Sequence, residues 1–353
     1  MIYPPHSPRS LLSRISPTLT ARSGSSQHIT VYRRDGPSLH PSFRERLAKV
    51  WTDCPELSSL REHPPERWIL YSGRLGEGNP ILLFLLDARG RPQVLVKVAR
   101  FPGLTQLCEE ERQLKAINER LDGVVQSKII TPLASAELDG RPLLAYRFEP
   151  CFPFFGLSWR LTGRANYLRC VSDWLAELAK QTRHVMAAAE FWEQHGEPLQ
   201  RLLQRGALPT QLAKLAADAV PVLRDYQDKP FAVLEHGDLG FYNTRLTDRT
   251  RGDFKVLDWG SSDRNGVPLG DLCYLLASVN APSKLAAECV GAYLDSIGYP
   301  RQTAWMLWLS YMARRWEELD RVRPFNPDDP YPGGAILLRT TDWVRRYFAA
   351  MGV

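Results

Sequence analysis

The stretch LEHGDLGFYNTRL, residues 234–246, decides how this chain is read. An apolar approach ends in His236 and Asp238, a glycine-bearing polar turn follows, and Asn243 enters a second alternating run. Taken alone, Asp238 could be a turn residue bonding its own backbone. The residues that follow argue for more. YNTRLT and FKVLD, joined by the polar DRTRGD, read as a β-hairpin. Its pairing brings Asn243, at the start of the first strand, to the end where the second strand delivers Asp258. A lone hairpin among helical segments is marginal on its own, so this one is read as a support for those side chains. Two carboxylates and an amide are hard oxygen donors, a set that suits Mg2+ sharing its shell with phosphates and does not suit zinc.

A nucleotide triphosphate on such a metal needs a cation for its phosphates. Working outward, the segment from residue 67 to residue 100 carries short apolar or alternating runs separated by glycine-rich turns, the mark of antiparallel strands. Lys97 interrupts the last of them, VLVKVAR. A lysine there is either on a solvent face or aimed at an anion, and in the second case it needs a carboxylate to hold it. The following helical stretch, LTQLCEEERQLKAINERL, offers Glu109, Glu110 and Glu111. Glu110 stands four before Leu114 and seven before Ile117, close to the inward stripe, and is the first choice, with Glu111 in reserve.

H-G-D-x-x-x-x-N at 236–243, D-W-G at 258–260, an upstream strand lysine and a helical glutamate together resemble the aminoglycoside phosphotransferase and choline kinase family, small-molecule relatives of the protein kinases. GVPLGDL at 266–272 and DWLAELAKQT at 173–182 are similar to that family as well. The resemblance covers roughly residues 67–320. It implies a protein-kinase-like α+β fold: a small antiparallel-sheet lobe with one helix, then a larger, mostly helical lobe. It also implies ATP and Mg2+ as cofactors. Asp238 would be the base that orients the acceptor hydroxyl, Asn243 and Asp258 magnesium ligands, Lys97 the contact to the α and β phosphates, and Glu110 its brace. AYRFEP at 145–150 would offer backbone groups to the adenine. The chain departs from the kinase template at the phosphate loop, where YSGRLGEGNP sets Gly73, Gly76 and Gly78 without the G-x-G-x-x-G spacing. Those glycines still relax the turn enough for backbone to approach phosphate. His236 is read as mainly structural, and Asp271 as a helix cap that also bonds toward the catalytic turn.

Composition sets the outer limits. With 353 residues and 44% hydrophobic content the chain can bury one large core or two modest ones. The formal charge of +6 comes from interspersed acids and bases with no long Lys/Arg run, which argues against nucleic acid as a partner. No apolar run reaches the roughly 18 residues that a membrane span requires. Six scattered cysteines suggest neither a zinc site nor a disulfide framework, and a reducing cytoplasm fits them. Residues 1–41 read as a flexible tail; their arginines and serines are similar to an organellar presequence, but the prolines spoil an amphipathic helix. Residues 42–150 are expected to form the nucleotide-binding lobe and 151–353 the helical catalytic and substrate lobe.

The expected activity is transfer of the ATP γ-phosphate to a hydroxyl of a small molecule: a sugar, an aminoglycoside or an amino alcohol. The alternative is a pseudokinase acting as a nucleotide-binding or regulatory module. Glu317, Glu318, Asp320, Asp328 and Asp329 are candidate attractors for an aminated sugar, and Phe152, Phe154, Phe155 and Trp159 for a quaternary amine. Solvated helix face and lobe-boundary packing are the competing readings of both groups. The basic charge weighs against a polycationic acceptor, and a sugar or other polar hydroxyl compound is preferred. The oligomeric state is not legible.

Overall fold

A computed structural model describes residues 29–32, 41–58, 67–71, 80–149, 163–206, 208, 210–225, 230–248, 250–301 and 304–322. They fall into two compact units, one built from residues 29–117 and 129–149, the other from 118–128 and 163–322.

The first unit is a six-stranded antiparallel sheet with two longer helices. Strand β1 (Ile29–Tyr32) is followed by helix α1 (Pro41–Asp53), then β2 (Arg67–Tyr71), β3 (Ile81–Leu86), β4 (Pro92–Val98), helix α2 (Gln106–Asn118), β5 (Ala134–Leu138) and β6 (Arg141–Arg147). The spatial order is β1-β2-β3-β4-β6-β5, every pair antiparallel. Period-two alternation sorts the side chains of β4. Val94, Val96 and Val98 are buried in a core with Leu83, Leu85, Leu143, Ala145 and, from α1, Val50 and Trp51. Lys97 therefore points to the opposite face, opposite Leu144 of β6.

Ile29–Tyr32, read from sequence as part of the tail, instead pairs with β2, Ile29 facing Tyr71 and Tyr32 facing Trp68. Four consecutive β-branched or aromatic residues account for the strand.

The second unit contains α3 (Gly123–Ser127), α4 (Arg164–Thr182), β7 (His184–Val185), a helical turn at Ala188–Phe191 running into a wider turn at Trp192–Gly196, α5 (Glu197–Gln204) and α6 (Thr210–Arg224). Strands β8 (Phe231–Glu235), β9 (Thr244–Asp248), β10 (Asp253–Val256) and β11 (Asp263–Gly266) follow, then α7 (Gly270–Ser278), α8 (Ser283–Ile297) and α9 (Ala304–Val322). Strands β9 and β10 pair only with each other, and β8 lies between β7 and β11 in a small antiparallel sheet. Its core includes Tyr167 and Trp174 from α4, Leu294 from α8, and Trp308 and Tyr311 from α9.

Residues 118–128 join this unit, although the sequence reading counted them with the nucleotide lobe. Bonds to the helical side decide it. Trp174 Nε1 donates to the Val125 carbonyl at 3.1 Å, the Val256 amide donates to the Lys128 carbonyl at 2.7 Å, and Lys128 forms an ion pair with Asp253. Cys54, Cys108, Cys170, Cys273 and Cys289 are free thiols. Among the described residues no helix is long and apolar enough to cross a membrane.

Candidate active site

In the sheet unit the lysine side chain is enclosed. Lys97 Nζ lies 2.7 Å from Glu110 Oε1, with both side chains largely out of solvent. Tyr146, two residues beyond Leu144 on the same face of β6, donates its hydroxyl to the same Glu110 oxygen at 2.9 Å, and its ring lies 5.5 Å from Lys97 Nζ. Glu110 reaches the sheet because it shares the inward stripe of α2 with Leu107, Leu114 and Ile117. Glu111, one position round the helix, pairs with Lys115 at 2.6 Å instead. Buried charges persist when paired and further hydrogen-bonded. This pair has both.

In the helical unit the 236–243 loop is held from beneath. The Asp271 carboxylate accepts the amide hydrogens of His236 at 2.6 Å and Gly237 at 3.0 Å. Burial and the neighbouring Glu235 push its carboxyl up to about 8, against the pull of those two donors. The N-cap of α7 is Leu269, and no side chain caps that helix, so Asp271 serves the loop and not its own helix terminus. Gly237 turns the chain at φ +80°, where a Cβ would collide with the Ser261 carbonyl oxygen. No other residue type fits there without strain.

His236 is fully enclosed, its ring centroid 4.8 Å from that of Trp259. Its Nδ1 accepts from the Asp238 amide at 3.3 Å, so Nε2 carries the proton and donates to the Leu257 carbonyl at 2.7 Å. Burial lowers its pKa below the ordinary imidazole value. With both nitrogens engaged inside the protein, His236 ties the loop to the end of the hairpin and has no nitrogen left for a substrate.

The carboxylate of Asp238 stands at the loop's turn. Asn243 donates its Nδ2 to the Asp238 carbonyl at 2.8 Å and to Asp238 Oδ2 at 3.1 Å, which turns the amide oxygen to the opposite side. The Leu257 amide bonds the Asn243 carbonyl at 2.9 Å and Val256 pairs with Thr244, so Asn243 and Asp258 share one end of the hairpin. Asp258 sits in the left-handed region at φ 65°, ψ 60°. For a residue other than glycine that conformation is uncommon and marks a constrained position.

Several contributors escaped the sequence reading. Tyr242 donates its hydroxyl to Asp238 Oδ1 at 2.6 Å and lies 2.7 Å from the Tyr274 hydroxyl. Its signal was in the motif itself, an aromatic residue four positions after the carboxylate. Glu235, immediately before His236, accepts from Arg314 of α9 at 2.5 Å and from the Val267 amide at 3.0 Å, while Arg314 also bonds Asp263 at 2.9 Å. Nothing local marks Arg314, which lies 79 residues from Glu235.

Of the acids nominated for a cationic acceptor, Glu317 is buried and accepts from Arg201 Nε and Nη2 at 2.8 and 3.0 Å. Glu318 is bound by Arg315 at 2.5 Å. Gly73, Gly76, Gly78, Phe152, Phe154, Phe155, Trp159, Asp328 and Asp329 lie outside the described residues, as does the side chain of Asp320.

No protein-family model matches the chain, and no curated protein does. Solved structures are similar to it in fold. They include aminoglycoside phosphotransferases. The GDP complex of wild-type aminoglycoside 2'-phosphotransferase-IIIa is 14% identical over 84% of this chain and 99% of its own, at TM-score 0.49. A putative fructosamine-3-kinase from Haemophilus somnus is 11% identical over 86% and 99%, also at 0.49. An aminoglycoside phosphotransferase from Streptomyces rimosus is 14% identical over 78% and 98%, at 0.44. Likenesses this distant carry no argument about activity, which rests on the residues themselves.

Proposed function

We propose that the chain is an ATP-dependent phosphotransferase of the aminoglycoside phosphotransferase and choline kinase type, moving the γ-phosphate to a hydroxyl of a small molecule. One observation carries the reading: Asp238, Asn243 and the hairpin end bearing Asp258 are locked together by hydrogen bonds that leave this loop little other conformation. Phosphoryl transfer asks little covalent chemistry of a protein and much positioning. Asp238 accepts the proton of the acceptor hydroxyl as that oxygen attacks phosphorus. Lys97, braced by Glu110, contacts the α and β phosphates, and the glycines at 73, 76 and 78 let backbone approach them.

The amide oxygen of Asn243 and the carboxylate of Asp258 are the hard donors that fit Mg2+. Among the described residues no three His, Cys, Asp or Glu side chains cluster to hold a metal ion, so a cation there would complete its shell with phosphate oxygens and water. When bound it offsets the charge of the transferring group.

The acceptor is a sugar or another polar hydroxyl compound. Glu317 and Glu318 support this, because their charge is already met by Arg201 and Arg315 and is poorly available to a polycation. Acceptor-dependent ADP release is the deciding measurement, made over sugars, amino alcohols and aminoglycosides. Asp238→Ala is expected to lose about 10²–10⁴-fold in turnover, the range a general base supplies, while nucleotide with Mg2+ still raises the melting temperature. An Asp238→Ala protein as fast as the wild type would remove the assignment.

A further inference from the structure

The reacting face of Asp238 is not open to solvent on every side. Its Oδ1 accepts from the Tyr242 hydroxyl at 2.6 Å, the separation and polarity that a base needs toward the proton it is about to take. Tyr242 has one proton, and it is spent on Asp238. The 2.7 Å contact with Tyr274 must therefore run the other way, Tyr274 donating to the Tyr242 oxygen. Tyr274 is largely buried on α7, and the helix is fixed to the same loop by Asp271. Tyr242 itself is 38% exposed, so its ring lies at the surface while its hydroxyl lies on the carboxylate.

Resting on the phosphotransferase reading above, we propose that the Tyr242 hydroxyl is a built-in stand-in for the acceptor: it occupies the acceptor-hydroxyl position on Asp238 and keeps water from being activated there. An acceptor able to supply a hydroxyl of its own exchanges for the phenol. Water, which gains nothing else by entering, does not. Tyr242 thereby sets the choice between phosphate transfer and ATP hydrolysis, and favours acceptors whose hydroxyl comes with further polar groups to offset the lost tyrosine bond.

The test uses the full chain with Mg2+ and ATP. ADP release is measured without acceptor and then with the best acceptor from the panel, for wild type, Tyr242→Phe and the double variant Asp238→Asn/Tyr242→Phe. Phenylalanine keeps the ring and removes only the hydroxyl. Tyr242→Phe is expected to raise acceptor-independent hydrolysis roughly ten- to a hundredfold, the scale of one hydrogen bond to a charged group, and to lower the KM for acceptor with kcat little changed. The double variant should return hydrolysis to background, since the water must be activated by Asp238. Unchanged hydrolysis in Tyr242→Phe, with acceptor turnover intact, overturns the inference alone. A fall in kcat with no rise in hydrolysis also overturns it and makes Tyr242 a positioning residue for the base. Absence of any ATP turnover in the wild type, with or without acceptor, overturns the phosphotransferase reading and this inference with it.

Discussion

His195 and His236 show how strongly the surroundings set a side chain's chemistry. Both are fully enclosed, and burial lowers each below the ordinary value of 6.5, with Arg314 adding to the effect at His195. Below about pH 6.5 the unfolded chain takes up protons that these folded imidazoles refuse, so stability is lost as the pH falls through that value toward the lowered folded ones. Asp271 has the opposite sign. Its carboxyl is raised to about 8, so its contribution is present in acid and lost as the pH rises toward 8. A comparison of wild type with His195→Leu separates the two: on acidification from about pH 7.5 to about pH 5.5 the wild type should lose roughly 1 kcal/mol more than the variant in urea denaturation, one pKa unit being worth about that much. Equal slopes would show that His195 titrates normally.

Asp258 yields a second prediction at this scale. Asparagine tolerates the left-handed region at least as well as aspartate, whereas alanine does so poorly. Asp258→Asn should therefore melt like the wild type and lose Mg2+-dependent turnover, while Asp258→Ala should lose turnover and also about 1 kcal/mol of stability.

Among the elements, the β9–β10 hairpin is the support on which the candidate metal ligands stand. Phe254 packs edge-on against Tyr167 and Trp174 with centroids 6.0 and 5.7 Å away, and the Tyr167 hydroxyl lies 2.5 Å from Thr244 Oγ1. Phe254→Ala should cost about 3–5 kcal/mol in chemical denaturation, the usual range for emptying a buried aromatic site, and lower turnover although it touches none of the proposed reacting groups. The tie between β4 and α2 predicts a non-additive pair. Lys97→Met alone strands the Glu110 carboxylate in the protein and should destabilise by about 3–5 kcal/mol, while Lys97→Met with Glu110→Gln should be the more stable of the two.

These two elements were legible in the sequence for a physical reason. Alternation in FKVLD and the three- and four-residue spacing of Leu107, Glu110, Leu114 and Ile117 are local patterns, and they fix where Asp258 and Glu110 stand. The sheet of β7, β8 and β11 was not legible. His184–Val185 is two residues long, and Asp263–Gly266 reads DRNG, with no strand-forming residue in it. Backbone pairing to β8 and the fit of Gly266 against Glu235 hold it as a strand, and neither leaves a periodic trace. The Arg314 bonds to Glu235 and Asp263 are hidden in the same way, since long-range ion pairs depend on where helices pack and not on any spacing.

For the molecule as a whole, composition spoke to size and charge but not to which charges remain available. In the sequence, the acid-rich C-terminal stretch fits either a cation-attracting wall or a solvated helix face. Folding brings Arg201 and Arg315 onto two of those acids, which agrees with the preference for a sugar or other polar hydroxyl compound as acceptor. The N-terminal strand carries the last consequence. Ile29–Tyr32 covers the outer rim of β2, so a protein cut back past Tyr32 would present a row of unsatisfied amides and carbonyls along Arg67–Tyr71. Bare rims of that kind recruit further chains. Such a shortened form should sediment with an apparent mass that rises more steeply with concentration than that of the uncut chain.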